Sequence, residues 1–382
     1  MKRQIQIIMI LALSSLLGTP QASGRISMTA AFRYDHGVDN ASSKSTGDEM
    51  TVPFGIAYNS EKFSIRIESA YSNAYVKTGD DADSEISSMT DMLVSGAYTH
   101  VFPDRPIALT FDLDINIPTG KERLTTEEAG AEWGQRNDLF EVDNFGEGLN
   151  VGLSVGGMYQ FERGVAALQG GYVYSGEFDS TAEQDDDDLD PGDQLLLVGF
   201  MDWNVSPQYT VSPFFAYAYF WADKTKGAEH FQQGQQLVLG TNLRIDYDQI
   251  GVLVNVQGTL PTKNKVIQDD ELKAEADKSN SADIFALTAL TYTFSPALNA
   301  RLQADIRYYG ETDFKDESSG LPYSGKRVRY AAGPGVSYQL TSHAAVSGLF
   351  KIFMMDQERD AFVKEDLTYK GINANIEMSY TF

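Results

Sequence analysis

Few side chains in this sequence have the chemistry for catalysis. His36, His100, His230 and His343 are the only imidazoles, and there is no cysteine. Without thiols there is no disulfide, thiolate zinc site, iron–sulfur cluster or c-type haem attachment. His343 and Ser347 fall on one face of an alternating stretch but are too far apart for a direct hydrogen bond. Asp35 and His36 are adjacent, and adjacent strand residues point to opposite faces. Asp112 and Asp114, in LTFDLDINIPTG at 109–120, share a face but lie mid-strand. Acid–base catalysis needs its partners within hydrogen-bond reach, so the expectation is a protein that is not an enzyme, with no cofactor. The acidic run EQDDDDLDPGD at 183–193 lacks the spacing of an EF-hand loop. Its hard oxygens would suit calcium, but the run reads first as a solvated external loop sharing divalent ions with anionic lipid headgroups. No metal ligand set is assigned.

The elements that carry these residues are strands. Apolar and polar residues alternate in register over and over: Ile26, Met28, Ala30, Phe32 and Tyr34 against Ser27, Thr29, Ala31, Arg33 and Asp35; Phe63, Ile65 and Ile67 against Ser64, Arg66 and Glu68; Leu302, Ala304, Ile306 and Tyr308 against Gln303, Asp305 and Arg307. A period of two is the strand period, and no comparable helical period competes with it, apart from one short helix expected within 267–278. The pattern predicts sixteen strands, with twelve or fourteen also compatible, at about 25–36, 49–58, 62–75, 88–101, 106–118, 148–161, 165–177, 194–204, 208–222, 235–247, 249–261, 282–294, 297–310, 326–340, 344–356 and 367–382. The connections alternate too. Short turns such as 58–61, 204–208 and 295–297 take turns with long, acidic loops at 37–48, 76–87, 119–147, 178–193, 223–234, 262–281, 311–325 and 357–366.

Short turns at one end and long loops at the other are the layout of an all-β, antiparallel transmembrane barrel in a bacterial outer membrane. Residues 1–24 fit that compartment, with Lys2 and Arg3, an apolar core and the small residues Ala22, Ser23 and Gly24 of a cleavage site: a secretory signal peptide. Residues 25–382 then form one barrel domain. In such a barrel the apolar phase faces lipid and the polar phase faces the lumen. Asp112 and Asp114 are therefore expected to line the pore. Tyr58, Tyr98, Tyr159, Trp203, Tyr209, Tyr292 and Tyr338 would form the aromatic girdle at the short-turn end. The net charge of −24 excludes nucleic acid as a partner.

The chain ends in EMSYTF, with Tyr380 and Phe382 on the apolar phase. This resembles the terminal signal by which bacterial outer-membrane barrels are recognised for insertion, which implies the barrel-assembly machinery as a partner, with outer-membrane lipid and lipopolysaccharide around the finished barrel. The layout also resembles that of general porins, in which the loop after the fifth strand folds inward. That resemblance implies an inward loop at 119–147 carrying Glu122, Glu127, Glu128 and Glu132. The polar phase of strands thirteen and fourteen, diametrically opposite, carries Arg301, Arg307, Arg327 and Arg329, and Arg66 and Asp305 are further pore-lining candidates; the alternative is a loop that stays outside, with the arginines paired to Asp305 and Glu68. General porins are often trimers, which leaves assembly into a homo-oligomer open. In the N-terminal half, VPFGIAYNSEKFSIRIESAY, DMLVSGAYTHVF, the strand ending in Pro118-Thr119-Gly120, and LNVGLSVGGMYQF resemble the outer-membrane transporters described as the meta-pathway phenol degradation type. The expected function is a porin for passive diffusion of small polar solutes or ions. The alternatives are a facilitated transporter for small aromatic or apolar compounds, implied by the second resemblance, and a structural barrel or surface receptor.

Overall fold

The alternation becomes a closed sheet. The computed structural model describes residues 24–41, 45–78, 83–121, 123–125, 128, 146–179, 188–316, 319–361 and 363–382; the expected signal peptide lies outside them. In chain order the strands are β1 (Arg25–Asp39), β2 (Ser45–Asn59), β3 (Phe63–Thr78), β4 (Ser84–Met89), β5 (Met92–Val101), β6 (Ile107–Ile117), β7 (Asn150–Phe161), β8 (Gly164–Tyr174), β9 (Phe178–Asp179), β10 (Asp188–Asp190), β11 (Gln194–Ser206) and β12 (Tyr209–Phe220). They continue as β13 (Ala222–Thr225), β14 (Ala228–Gln232), β15 (Gln236–Tyr247), β16 (Ile250–Pro261), β17 (Lys265–Gln268), β18 (Glu271–Ala274), β19 (Asp283–Ser295), β20 (Leu298–Tyr309), β21 (Arg327–Gln339), β22 (Ala344–Gln357) and β23 (Leu367–Thr381). β4 and β5 both pair with β3, one above the other, and are two pieces of a single barrel strand broken at Thr90-Asp91. The barrel therefore has 16 antiparallel strands. It closes where β1 pairs with β23, from Ser27 opposite Thr381 to Asp39 opposite Tyr369. Closure removes both sheet edges, which a bilayer requires because lipid offers no hydrogen bonds to an unpaired strand.

One strand phase is an exposed apolar belt. Ile26, Met28 and Phe32 on β1, Phe54 and Ile56 on β2, Phe63, Ile65 and Ile67 on β3, and Phe111 and Leu113 on β6 are all exposed. The belt repeats around the sheet through Leu195, Leu239, Leu290, Leu302, Val336 and Ile376. A soluble protein does not expose so continuous an apolar surface; this surface faces acyl chains. Tyr58, Tyr159, Trp203, Tyr209, Tyr292 and Tyr338 are exposed on the same face next to the short turns, and Tyr98 lies between Phe63 and Phe111 at ring-centroid distances of 5.0 and 6.4 Å. Belt, girdle and closed sheet make this a bacterial outer-membrane barrel. Replacing Leu113 with arginine should lower the stability of the folded barrel in vesicles by about 2–4 kcal/mol, the usual depth-dependent cost of a cation in lipid. Ser64→Arg, on the inner phase, should cost about 0.5 kcal/mol or less. Urea midpoints of the two variants check the phase directly.

The loops depart from expectation in one region. Three successive long loops do not stay irregular: β9, β10, β13, β14, β17 and β18 form a second, 6-stranded sheet above one side of the barrel. The short helix expected within 267–278 is instead the β17–β18 hairpin. Its turn has Asp269 at φ 54° and Asp270 at φ 64°, and β13–β14 turns through Lys226 at φ 53° and Gly227 at φ 77°. Positive φ at both central residues is the type I′ turn that matches strand twist. Polar composition concealed these hairpins because neither sits on a buried apolar face.

The barrel rim is held by a repeated device. Gly192, Gly234 and Gly325 each precede an inbound strand by two residues, and each donates its N–H across to an Asp or Asn three residues beyond the end of the partner strand. The bonds are Gly192 to Asp223 Oδ1 at 2.8 Å, Gly234 to Asn264 Oδ1 at 2.7 Å and Gly325 to Asp360 Oδ2 at 3.4 Å. A Cβ at Gly192 would strike the Trp221 carbonyl, so glycine is required for the approach.

Candidate functional site

The lumen is lined by the inner phase of the strands, and its composition changes around the barrel. On β8, β11, β12 and β15 the inner residues are apolar and packed: Val173, Leu196, Val198, Phe200, Phe214, Ala216, Ala218, Phe220 and Val238 form one buried cluster. Phe214 lies over Gly240 of the neighbouring strand, where a Cβ could not fit. Eight pairings round the sheet, β23 and β1 face β11 and β12 with Asn373, Asn375, Glu377, Arg33 and Asp35. The lumen thus has one apolar wall and one charged wall.

The charged wall is cross-linked. Asp305 of β20, whose side chain is 2% exposed, receives Lys351 Nζ of β22 at 2.9 Å and lies 3.6 Å from Arg329 Nη1 of β21. Arg329 Nη2 donates to Asn373 Oδ1 at 2.9 Å, and Asn373 donates to Asp35 of β1. Arg307 is held by Asp283 of β19 through Nη2 at 2.7 Å and Nε at 3.1 Å. Arg307 and Arg327 both stack on the Tyr309 ring at 4.7 Å. Arg66 and Glu68 approach to 3.5 Å. Arg307 and Arg329 lie on the inner phase and pair with Asp283 and Asp305, and Arg66, on β3, pairs with Glu68. The exception in setting is Arg301, which is exposed on the inner phase toward the short-turn end. Arg301→Glu should leave stability within about 0.5 kcal/mol. The substitution changes the local charge by two units, which favours cations and disfavours anions, so the cation-to-anion permeability ratio should rise in reversal-potential measurements.

Asp112 and Asp114 face inward as their phase requires. Asp112 is tied into the wall by Gln169 Nε2 at 2.8 Å and Ser154 Oγ at 3.3 Å. β20 lies eight pairings from β6, so these aspartates and the Asp305 network are on opposite sides of the lumen.

The loop at 119–147 is rooted by a residue that sequence reasoning passed over. Asp91, 6% exposed at the break between β4 and β5, accepts four hydrogen bonds. Its Oδ1 takes Gly120 N at 2.9 Å and Gly146 N at 3.0 Å; its Oδ2 takes Asn116 Nδ2 and Glu147 N, both at 2.9 Å. One carboxylate therefore clasps both ends of the loop. A Cβ on Gly120 would come within 2.8 Å of Asp91 Oδ1, which accounts for the glycine of Pro118-Thr119-Gly120. Past the clasp, Leu124 packs on Ala74 and Ile86, both on the inner phase of β3 and β4. Arg123 Nη2 meets Asp179 Oδ2 of β9 at 2.6 Å. Leu124 and Arg123 therefore lie against the inner phase of β3 and β4 and against β9. Glu128 is paired with Lys121, and Thr125 and Glu128 exchange hydrogen bonds of 3.1 and 3.2 Å. Glu122, Glu127 and Glu132 lie outside the described residues.

Exposure of the inner side chains differs between the two ends of the barrel. Near the long-loop end the inner residues Glu49, Thr51, Ser72, Tyr309, Met355 and Tyr369 are 4% exposed or less. Near the short-turn end, Arg301 and Glu377 on the charged wall and Arg244 on the other side are exposed. Inner side chains are thus exposed toward the short turns and covered toward the long loops.

No family model and no curated protein matches this chain. Among solved structures, it is similar to OccK7 of Pseudomonas aeruginosa, with 11% identity over 94% of this chain and 99% of that one at a TM-score of 0.45. It is similar to the CymD monoaromatic hydrocarbon channel, with 11% identity over 98% and 92% at a TM-score of 0.44. It is also similar to the translocator domain of the autotransporter NalP from Neisseria meningitidis, with 11% identity over 100% and 96% at a TM-score of 0.37. At these values the roles of those proteins carry no weight for this chain, and function is argued below from its own residues.

Proposed function

We propose that this protein is an outer-membrane channel through which small polar solutes or ions diffuse, filtered in the long-loop half of the barrel. The observation that carries this reading is the charged inner wall open to water at Arg301 and Glu377, leading to a half whose inner residues are covered. A barrel that served only as a scaffold has no use for charged residues on its inner phase, where each must be solvated or paired. Small polar solutes fit a lumen with alternating fixed charges, and the covered half sets the size limit. Osmotic swelling of proteoliposomes with sugars of graded size tests it. Fast swelling with a pentose and slow swelling with a disaccharide is expected; no swelling above protein-free vesicles with any solute contradicts it.

A second reading has its own support. The buried apolar wall on β8 to β15, and a second apolar cluster of Phe353, Met355, Leu367 and Tyr369 near the long-loop end, suit small aromatic or apolar compounds, as the resemblance in the N-terminal half implies. Under this reading the polar solutes fail in the swelling assay and an aromatic solute passes at a saturable rate. A surface receptor would pass neither.

A further inference from the structure

One cavity lies at the long-loop end of the lumen's apolar wall, where the rim meets the loop sheet. Phe220 at the end of β12 lines it. Phe178 of β9, Leu189 of β10 and Pro191 close its apolar side, and Glu147 and Asp223 contribute carboxylates. Asp223 belongs to the rim device: its Oδ1 accepts Gly192 N at 2.8 Å. Its Oδ2 is different. The residue is 5% exposed, and this oxygen is buried with no hydrogen-bond partner among the described residues.

The equivalent rim positions show that this is not a structural necessity. Asn264 performs the same glycine contact with an amide, and its Nδ2 donates to Ser279 Oγ at 2.8 Å. Asp360 uses both oxygens, Oδ2 for Gly325 and Gln357 and Oδ1 for Val363 N at 2.7 Å. An amide would thus serve at position 223 for the rim alone. A buried carboxylate oxygen without a donor costs free energy, and burial holds the Asp223 carboxyl above the usual carboxylate range. A ligand that brings a positive charge and an N–H offsets that cost. Phe178 and Phe220, which line the same cavity, offer apolar contact and ring faces to such a cation.

We propose that this cavity binds a small organic ammonium ion with an apolar body, its N–H donated to Asp223 Oδ2 and its body held by Phe178, Leu189 and Phe220. On the channel reading, on which its role rests, the site is the first halt of a cationic solute arriving from outside. The field of a chain with net charge −24 concentrates such ions at the mouth.

Calorimetric titration of the detergent-folded barrel with 2-phenylethylammonium tests the site, beside 2-phenylethanol as the uncharged analogue and tetramethylammonium as a cation without N–H. The wild type should bind the ammonium with Kd below about 1 mM, and both analogues ~10-fold more weakly or worse. Asp223→Asn keeps the rim contact, as Asn264 does, so it should fold with an unchanged heat-dependent gel shift and lose binding ~10-fold or more. Equal binding by Asp223→Asn, equal binding of the alcohol, or no heat with the wild type at 10 times that concentration overturns the site. Bilayer recordings on the same samples separate the two claims. A barrel that conducts without binding refutes the site alone. Binding that depends on Asp223 in a barrel that never conducts refutes the channel and leaves a receptor.

Discussion

Asp91→Ala should enlarge and destabilise the open current of the barrel while leaving the barrel folded. The clasp consists of four hydrogen bonds to one buried carboxylate, from Gly120, Gly146, Glu147 and Asn116. Bonds to a charged group contribute about 1.5–3 kcal/mol each before water replaces them. Losing the set, with water rehydrating the freed N–H groups, should weaken loop anchoring by on the order of 3 kcal/mol, about a hundredfold in the anchored population. The sheet pairing of β3 with β4 and β5 does not pass through this side chain, so the change is local. Single-channel recordings should show a larger, flickering conductance with an unaltered gel shift. An unchanged, quiet conductance would mean that the loop is held by other contacts.

Asp305→Ala should be the most destabilising single change on the inner wall. It strips the common acceptor from Arg329 and Lys351, whose side chains are only 12% and 16% exposed. Removing one partner of a buried ion pair leaves an uncompensated charge and costs about 3–5 kcal/mol. The same substitution removes one negative charge from the inner wall, so ion selectivity should move toward anions. A lower unfolding midpoint in urea together with a shifted reversal potential is the expected pair of results. A stability loss with no change in selectivity would place the Asp305 network away from the conducting path.

The strands were legible in the sequence because lipid and water impose opposite demands on alternate residues, and a shift of one residue would reverse every side chain. That is why the phase of Asp112 and Asp114, the girdle from Tyr58 to Tyr338 and the strand count all follow from alternation. What alternation does not contain is register, and the partners of the arginines depend on it. Arg329 meets Asp305 only because β20 and β21 pair with Arg307 opposite Arg329 and Asp305 opposite Ala331. Asp91 was hidden inside a predicted strand at 88–101, although the polar pair Thr90-Asp91 interrupts its pattern, and Gly120 pointed to a close approach without naming the neighbour. The loop sheet was hidden for a different reason: its strands are only two to five residues long and rich in Asp, Lys and Glu, and the β17–β18 turn uses Asp269 and Asp270 where glycine or asparagine would have announced it.

Conduction is the property on which the proposed channel stands or falls, and the loop that Asp91 clasps is the segment whose removal should change it. Because Gly120 N and Gly146 N both reach Asp91 Oδ1, at 2.9 and 3.0 Å, the two ends of the loop lie side by side, and deleting residues 124–145 leaves a gap that short chain can close. The most direct measurement is single-channel conductance and reversal potential in planar bilayers for the wild type beside that deletion. Steady, ion-selective openings in the wild type and a larger conductance with weaker selectivity in the deletion are expected. Silence in both, or identical currents from both, would contradict the proposed channel.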